Sequence, residues 1–215
     1  MPASRIPARA AKAAASPASR RMETTLIHGN AQERFPYGAT LPPVVYSASF
    51  AYDSAEAMEE VFAGRQEGPV YSRLGNPSVE ALEARITAAC DARGTVAVAS
   101  GMAAVALALL GLLKSGDELI ASRLLFGGTY TLFTKTFPSL GITVHLVNPE
   151  RPDEARALVN ERTRAVFLEA LANPAMTVPD LAAWRALCDP HGLALVLDAT
   201  LLTPVLYHQI GRAHV

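Results

Sequence analysis

Residues 193–200 read Leu-Ala-Leu-Val-Leu-Asp-Ala-Thr. A continuous apolar run this short, bounded by Gly192 and Asp198, predicts a strand buried on both faces. Working backwards along the chain, the same grammar repeats. Segments 95–99, 118–121, 142–147 and 165–168 are short and apolar or β-branched. Helical patterns at 102–114, 129–137, 153–161 and 180–188 separate them, and a further helix is expected at 78–89. Strands alternating with helices predict an α/β fold, a mostly parallel sheet with helices on both faces. Within 22–70 only 54–63 reads as a helix, capped by Asp53 or Ser54. The rest of 22–70 is punctuated by Pro36, Pro42, Pro43, Gly64, Gly68 and Pro69. Such a stretch buries itself poorly, so it is expected to be an extended N-terminal arm lying on a partner subunit.

Composition narrows the class. The chain has 215 residues, half of them apolar and 18% charged. That suits a core-bearing domain and not a disordered chain. A net charge of −1 gives no field that would draw nucleic acid. Residues 1–21 hold Arg5, Arg9, Lys12, Arg20 and Arg21 and no acid. This segment is expected to be a disordered extension, or to reflect a start upstream of the true one at Met22; an organelle transit peptide is the alternative. It has no apolar block, so it is not a secretory signal. No apolar run is long enough for a membrane span. Cys90 and Cys188 lack metal-like spacing and read as reduced thiols of a cytoplasmic protein.

In open parallel sheets, ligands sit beyond the carboxyl ends of the strands. Four groups follow those ends and are expected to converge. Ser100-Gly101-Met102 opens a helix; it reads as an anion site made of free N–H groups, or as a plain N-cap by Ser100. The chain lacks the GxGxxG and GxxxxGK[ST] patterns, so nicotinamide and ATP are not the first choices. Phe126-Gly127-Gly128-Thr129 offers a ring that can lie on a planar cofactor, or an ordinary turn with a core Phe. Glu169 through Asn173-Pro174 is the third group. Asp198-Ala199-Thr200 is the fourth. A carboxylate there can partner a protonated pyridine nitrogen, or simply cap the next loop. Upstream, Tyr71-Ser72-Arg73-Leu74-Gly75-Asn76-Pro77 supplies a hydroxyl and a guanidinium suited to phosphate, or a packed Tyr and a solvated Arg.

As a set, in this order and spacing, these motifs resemble the Cys/Met-metabolism pyridoxal 5'-phosphate (PLP) enzymes, over about residues 22–208. The resemblance implies the large domain of an aspartate-aminotransferase-like PLP-dependent transferase at 71–208, incomplete, after an arm at 22–70. It implies PLP as cofactor, a small amino-acid substrate, and a homo-oligomer built as a dimer of dimers. It implies that Ser100, Gly101 and Met102 bind the phosphate. Tyr71 and Arg73 would reach the phosphate in the neighbouring subunit. Asp198 would pair with the pyridine nitrogen, Asn173 would lie near the phenolic oxygen, and Thr200 near the ring or phosphate. Glu169 matches an acidic position near the site. Phe126 replaces the usual stacking tyrosine, so it stacks without exchanging a proton. Ala199 replaces the usual Asn. Gly128 stands where γ-lyases resembling methionine γ-lyase carry Cys, which resembles the synthase and sulfhydrylase group instead.

The resemblance also implies a lysine that holds PLP covalently, about two dozen residues after Asp198. No lysine follows Lys135. The chain is therefore expected to be the front part of a longer enzyme, inactive alone. Residues 209–215 are expected to be non-native, since Ile-Gly-Arg-Ala-His-Val back-translates to common sequencing-adapter DNA. The longer protein is expected to make cystathionine or homocysteine by γ-replacement on an O-acyl-homoserine. Alternatives are a methionine or cystathionine γ- or β-lyase, or an inert fragment that only docks onto other subunits.

Overall fold

The C-terminal carboxylates of the sheet are placed by its register. β1 (Glu118–Ser122), β2 (Thr143–Val147), β3 (Thr163–Glu169) and β4 (Ala194–Asp198) form one sheet in the order β2-β1-β3-β4, with every pair parallel. This computed structural model describes residues 22–28, 35 and 38–207; the expectations for 1–21 and 209–215 lie outside them. The chain divides into two units, one running to Val96 and the other from Ala97.

The second unit is the α/β layer structure expected. Period-two alternation sends neighbouring strand residues to opposite faces. Leu119, Ala121, Ala165 and Phe167 face one cluster, which includes Val105 and Leu109 of α4 (Gly101–Leu110). Phe133 and Phe137 join it from a long helical stretch made of α5 (Gly127–Thr131), a π turn and α6 (Phe137–Ser139). Ile120, Val166 and Leu168 point the other way. They meet Ala155 of α7 (Pro152–Arg156), and Trp184 and Leu187 of α8 (Leu181–Cys188). The buried Trp184 indole donates to the Pro149 carbonyl at 2.8 Å, which satisfies its polar atom. A last short helix, α9 (Thr203–Leu206), follows β4. No helix among the described residues is long and apolar enough to cross a membrane.

Two expectations about elements are corrected. Segment 95–99 forms no strand, and Val96 is 82% exposed. A strand exists only through a ladder, and none of the four strands pairs with this segment. The helix expected at 153–161 stops at Arg156. Asn160 captures the chain instead: its Oδ1 accepts from Arg162 N–H and its amide nitrogen donates to Glu118. The π turn at Leu132–Thr136 has a local cause in Pro138, which cannot donate to the ladder.

In the first unit, α2 (Ala55–Phe62) starts at Ser54, whose side chain accepts from Ala57 N–H. α3 (Pro77–Cys90) is capped by Asn76, with Pro77 at its first position. The structure adds α1 (Met22–His28), which lies against α3. Its stability comes from that packing, which no local propensity reports.

Opposite the ligand edge, the sheet is held by buried charge. Glu118 is 2% exposed and opens β1. It accepts from His145 Nε2 at 2.7 Å and Asn160 Nδ2 at 2.8 Å, and pairs with the Arg162 guanidinium. The Asn160 and His145 hydrogen bonds, with the Arg162 charge, hold its carboxyl below the ordinary glutamate range against the effect of burial. A depressed folded value contributes stability that is full above the unfolded value and is lost as pH falls through the folded one. Glu118→Gln should therefore lower the urea midpoint by an amount equivalent to roughly 1–3 kcal/mol at neutral pH. The difference from wild type should shrink in acid, and a constant difference down to the acid transition would refute the assignment.

Candidate active site

A cleft of about 350 Å³ opens at the carboxyl edge of the sheet. That is at the low end of the size range of small-molecule sites. It lies wholly within the second unit.

Its floor comes from strand ends. β3 finishes on Glu169 and β4 on Asp198, and the register makes these two residues direct partners. Their surroundings then separate them. Glu169 is 5% exposed, and its oxygens each take a backbone N–H: Oε1 from Phe126 at 2.7 Å, Oε2 from Asn173 at 2.9 Å. Burial pushes its carboxyl above the usual carboxylate range; the two N–H bonds oppose this and the Asp198 charge adds to it. Asp198 is half-buried. Its Oδ1 accepts from Thr200 N–H at 2.9 Å and from the Thr200 hydroxyl at 2.6 Å. Its Oδ2 has no hydrogen-bond partner among the described residues, and Asp198 is one of the residues that line the cleft.

One wall is the start of α4. Ser100 caps it, its hydroxyl accepting from Ala103 N–H at 3.1 Å. The capping reading is thus correct, and it does not exclude the anion reading. The first N–H groups of a helix, here those of Gly101 and Met102, lack intrahelical acceptors. A Cβ on Gly101 would meet nothing within 4 Å, so no protein atom blocks approach to this backbone.

The other wall carries the ring of Phe126, 48% exposed and lining the cleft. Gly128 holds it there. A Cβ at 128 would fall 2.8 Å from Phe126 Cε1 and 3.0 Å from Met102 Sδ. Asn173 completes the rim beside a cis Asn173–Pro174 bond.

Ser100, Gly101, Met102, Phe126, Glu169, Asn173, Asp198 and Thr200 therefore come together. Tyr71 and Arg73 belong to the first unit. Both are exposed, and the Arg73 guanidinium sits 4.8 Å from the Tyr71 ring centroid. Sequence reasoning missed Val105 and Leu201 as lining residues, because apolar residues on core elements carry no signal of their own. Thr129, named with the Phe-Gly-Gly group, also lines the cleft; it is buried and donates to Met102 Sδ at 3.8 Å.

The residues fit PLP. The free N–H groups at Gly101 and Met102 suit its phosphate, the open oxygen of Asp198 suits a protonated ring nitrogen, and Phe126 suits a flat ring. Among the described residues, no lysine lines the cleft.

Comparison with known proteins agrees. The profile of the Cys/Met metabolism PLP-dependent enzymes matches residues 23–211, and the chain belongs to this family. It is 40% identical over 185 residues to an O-acetyl-L-homoserine sulfhydrylase of Corynebacterium glutamicum, covering 86% of this chain and 42% of the relative. It is 36% identical over 170 residues to an L-methionine gamma-lyase of Pseudomonas deceptionensis, covering 79% and 43%. Among solved structures, a Campylobacter jejuni O-acetylhomoserine (thiol)-lyase carrying a pyridoxyl-lysine phosphate superposes with a TM-score of 0.82 at 28% identity, covering 86% of this chain and 46% of that one. The chain thus spans less than half the length of the relatives it matches.

The Gly128 contact is testable directly. Gly128→Ala should cost on the order of 1 kcal/mol in urea unfolding through overpacking. The cost should vanish in a Phe126→Ala background; an equal cost in both backgrounds would show that the ring is not what Gly128 accommodates.

Proposed function

We propose that these residues form the cofactor cradle of a PLP-dependent enzyme that replaces the γ-substituent of an O-acyl-homoserine with a sulfur nucleophile. Sulfide would give homocysteine, and cysteine would give cystathionine. PLP, when bound, supplies a ring that accepts electrons from a substrate carbanion. The chain's own residues do the rest. Gly101 and Met102 bind the phosphate through backbone N–H groups, with Ser100 holding the helix start. Asp198 keeps a proton on the pyridine nitrogen, and Thr200 orients the carboxylate for it. Asn173 offers its amide to the phenolic oxygen. Phe126 covers the ring face and excludes water. The lysine that holds the cofactor belongs to the longer protein, and so does the homo-oligomer in which Tyr71 and Arg73 reach a neighbour's phosphate.

The observation that carries γ-replacement over elimination is the packing of Gly128 against Phe126 and Met102. A side chain at 128, the position where the γ-lyases of the resemblance carry Cys, would push the Phe126 ring and the Met102 side chain aside. Phe126 supports the same reading. An acyl carboxylate leaves without needing a proton, whereas a thiolate, with an ordinary pKa of roughly 8.5 for cysteine, leaves more readily when protonated. A phenyl ring offers no such proton. The likeness to a methionine gamma-lyase favours a second reading, a γ-lyase.

The full-length protein should form homocysteine or cystathionine from O-acetyl- or O-succinylhomoserine only when the nucleophile is present. Asp198→Asn should lower kcat by on the order of 100-fold or more. Keto acid and ammonia from methionine or cystathionine, without replacement product from any pair, would favour the lyase and sink γ-replacement.

A further inference from the structure

Glu169 does something the roles above leave unexplained. It is a carboxylate buried at the end of an interior strand, and none of the ion pairs among the described residues includes it. Burying a carboxylate without a cationic partner is unfavourable. Its two acceptor bonds point to why one is used. The Phe126 N–H comes from the loop that leaves β1, and the Asn173 N–H from the loop that leaves β3. A hydroxyl or an amide side chain brings a donor as well as an acceptor. Only a carboxylate presents two acceptors and no donor to two converging N–H groups.

Each donor also belongs to a residue at the cleft. Phe126 carries the ring, and Asn173 carries a side-chain amide with no hydrogen-bond partner among the described residues. At its start each loop bonds a neighbouring strand, Arg123 N–H to the Val147 carbonyl and Ala170 N–H to the Asp198 carbonyl, and neither bond joins the two loops. Ser122 pins Leu124 within the first loop, and Ala172 bonds Thr177 and Met176 within the second. Among the described residues, the Glu169 carboxylate is the hydrogen-bonded link between them.

We propose that Glu169 is a positioning residue: it ties the Phe126 and Asn173 loops to one point and so sets the spacing between the ring and the amide across the cleft. The proposal rests on the cofactor reading above and deepens it.

The test compares full-length, PLP-loaded wild type with Glu169→Gln. Gln keeps one acceptor and turns an NH₂ group towards the other N–H. It also removes a buried charge, so global stability should change little. Amide hydrogen exchange at Phe126 or Asn173 should rise by on the order of tenfold, with β1 and β3 unchanged. The induced circular dichroism of bound PLP should shift. kcat should fall by on the order of 10- to 100-fold while KM changes little. Unchanged exchange at both loops together with an unchanged dichroism band overturns the proposal. A uniform rise in exchange across all strands also overturns it, because that marks a merely structural role. Wild type that binds no PLP defeats the cofactor reading instead, and the exchange measurement then still decides whether Glu169 ties the loops.

Discussion

The parallel register of β3 on β4 sets two carboxylates, Glu169 and Asp198, side by side at one edge of the sheet. The Asp198 charge adds, after burial, to the upward push on the Glu169 carboxyl, and the two groups do different work. Glu169 turns to the protein and spends both oxygens on backbone N–H groups. Asp198 spends one oxygen on Thr200 and keeps the other for a ligand. A cationic ring nitrogen beside Asp198 would relieve the pair as well as bind.

The two ends of the sheet divide stability from chemistry. At the amino end, Glu118 is fully partnered by His145, Asn160 and Arg162, and Arg164 pairs with Asp117 at 3.2 Å. At the carboxyl end the polar groups are only partly satisfied. Polar groups left open at a cleft are what a binding edge needs.

Much of this was legible from local pattern. The run Leu193–Asp198, the helix opening at Gly101 and the Phe-Gly-Gly turn all mark strand and helix ends, and parallel topology then brings those ends together. What stayed hidden was non-local. The segment at 95–99 has a strand's composition but is not one of the strands of the sheet, and composition cannot see that. The helix at 22–28 exists through contact with α3. Glu169 was recognisable only as an acid near the site; its tie to Phe126 spans 43 residues of sequence. Gly128 read as part of a turn and as the counterpart of a Cys; that a Cβ there would fall 2.8 Å from the Phe126 ring is visible only in the fold.

The central claim is that the free oxygen of Asp198 holds a proton on the cofactor's ring nitrogen. The most direct measurement is the nitrogen NMR shift of PLP labelled with ¹⁵N in the ring, bound to the full-length protein. The account predicts a pyridinium shift in wild type across neutral pH and a move towards neutral pyridine in Asp198→Asn. A neutral pyridine shift in wild type, or a pyridinium shift that Asp198→Asn leaves unchanged, would contradict it.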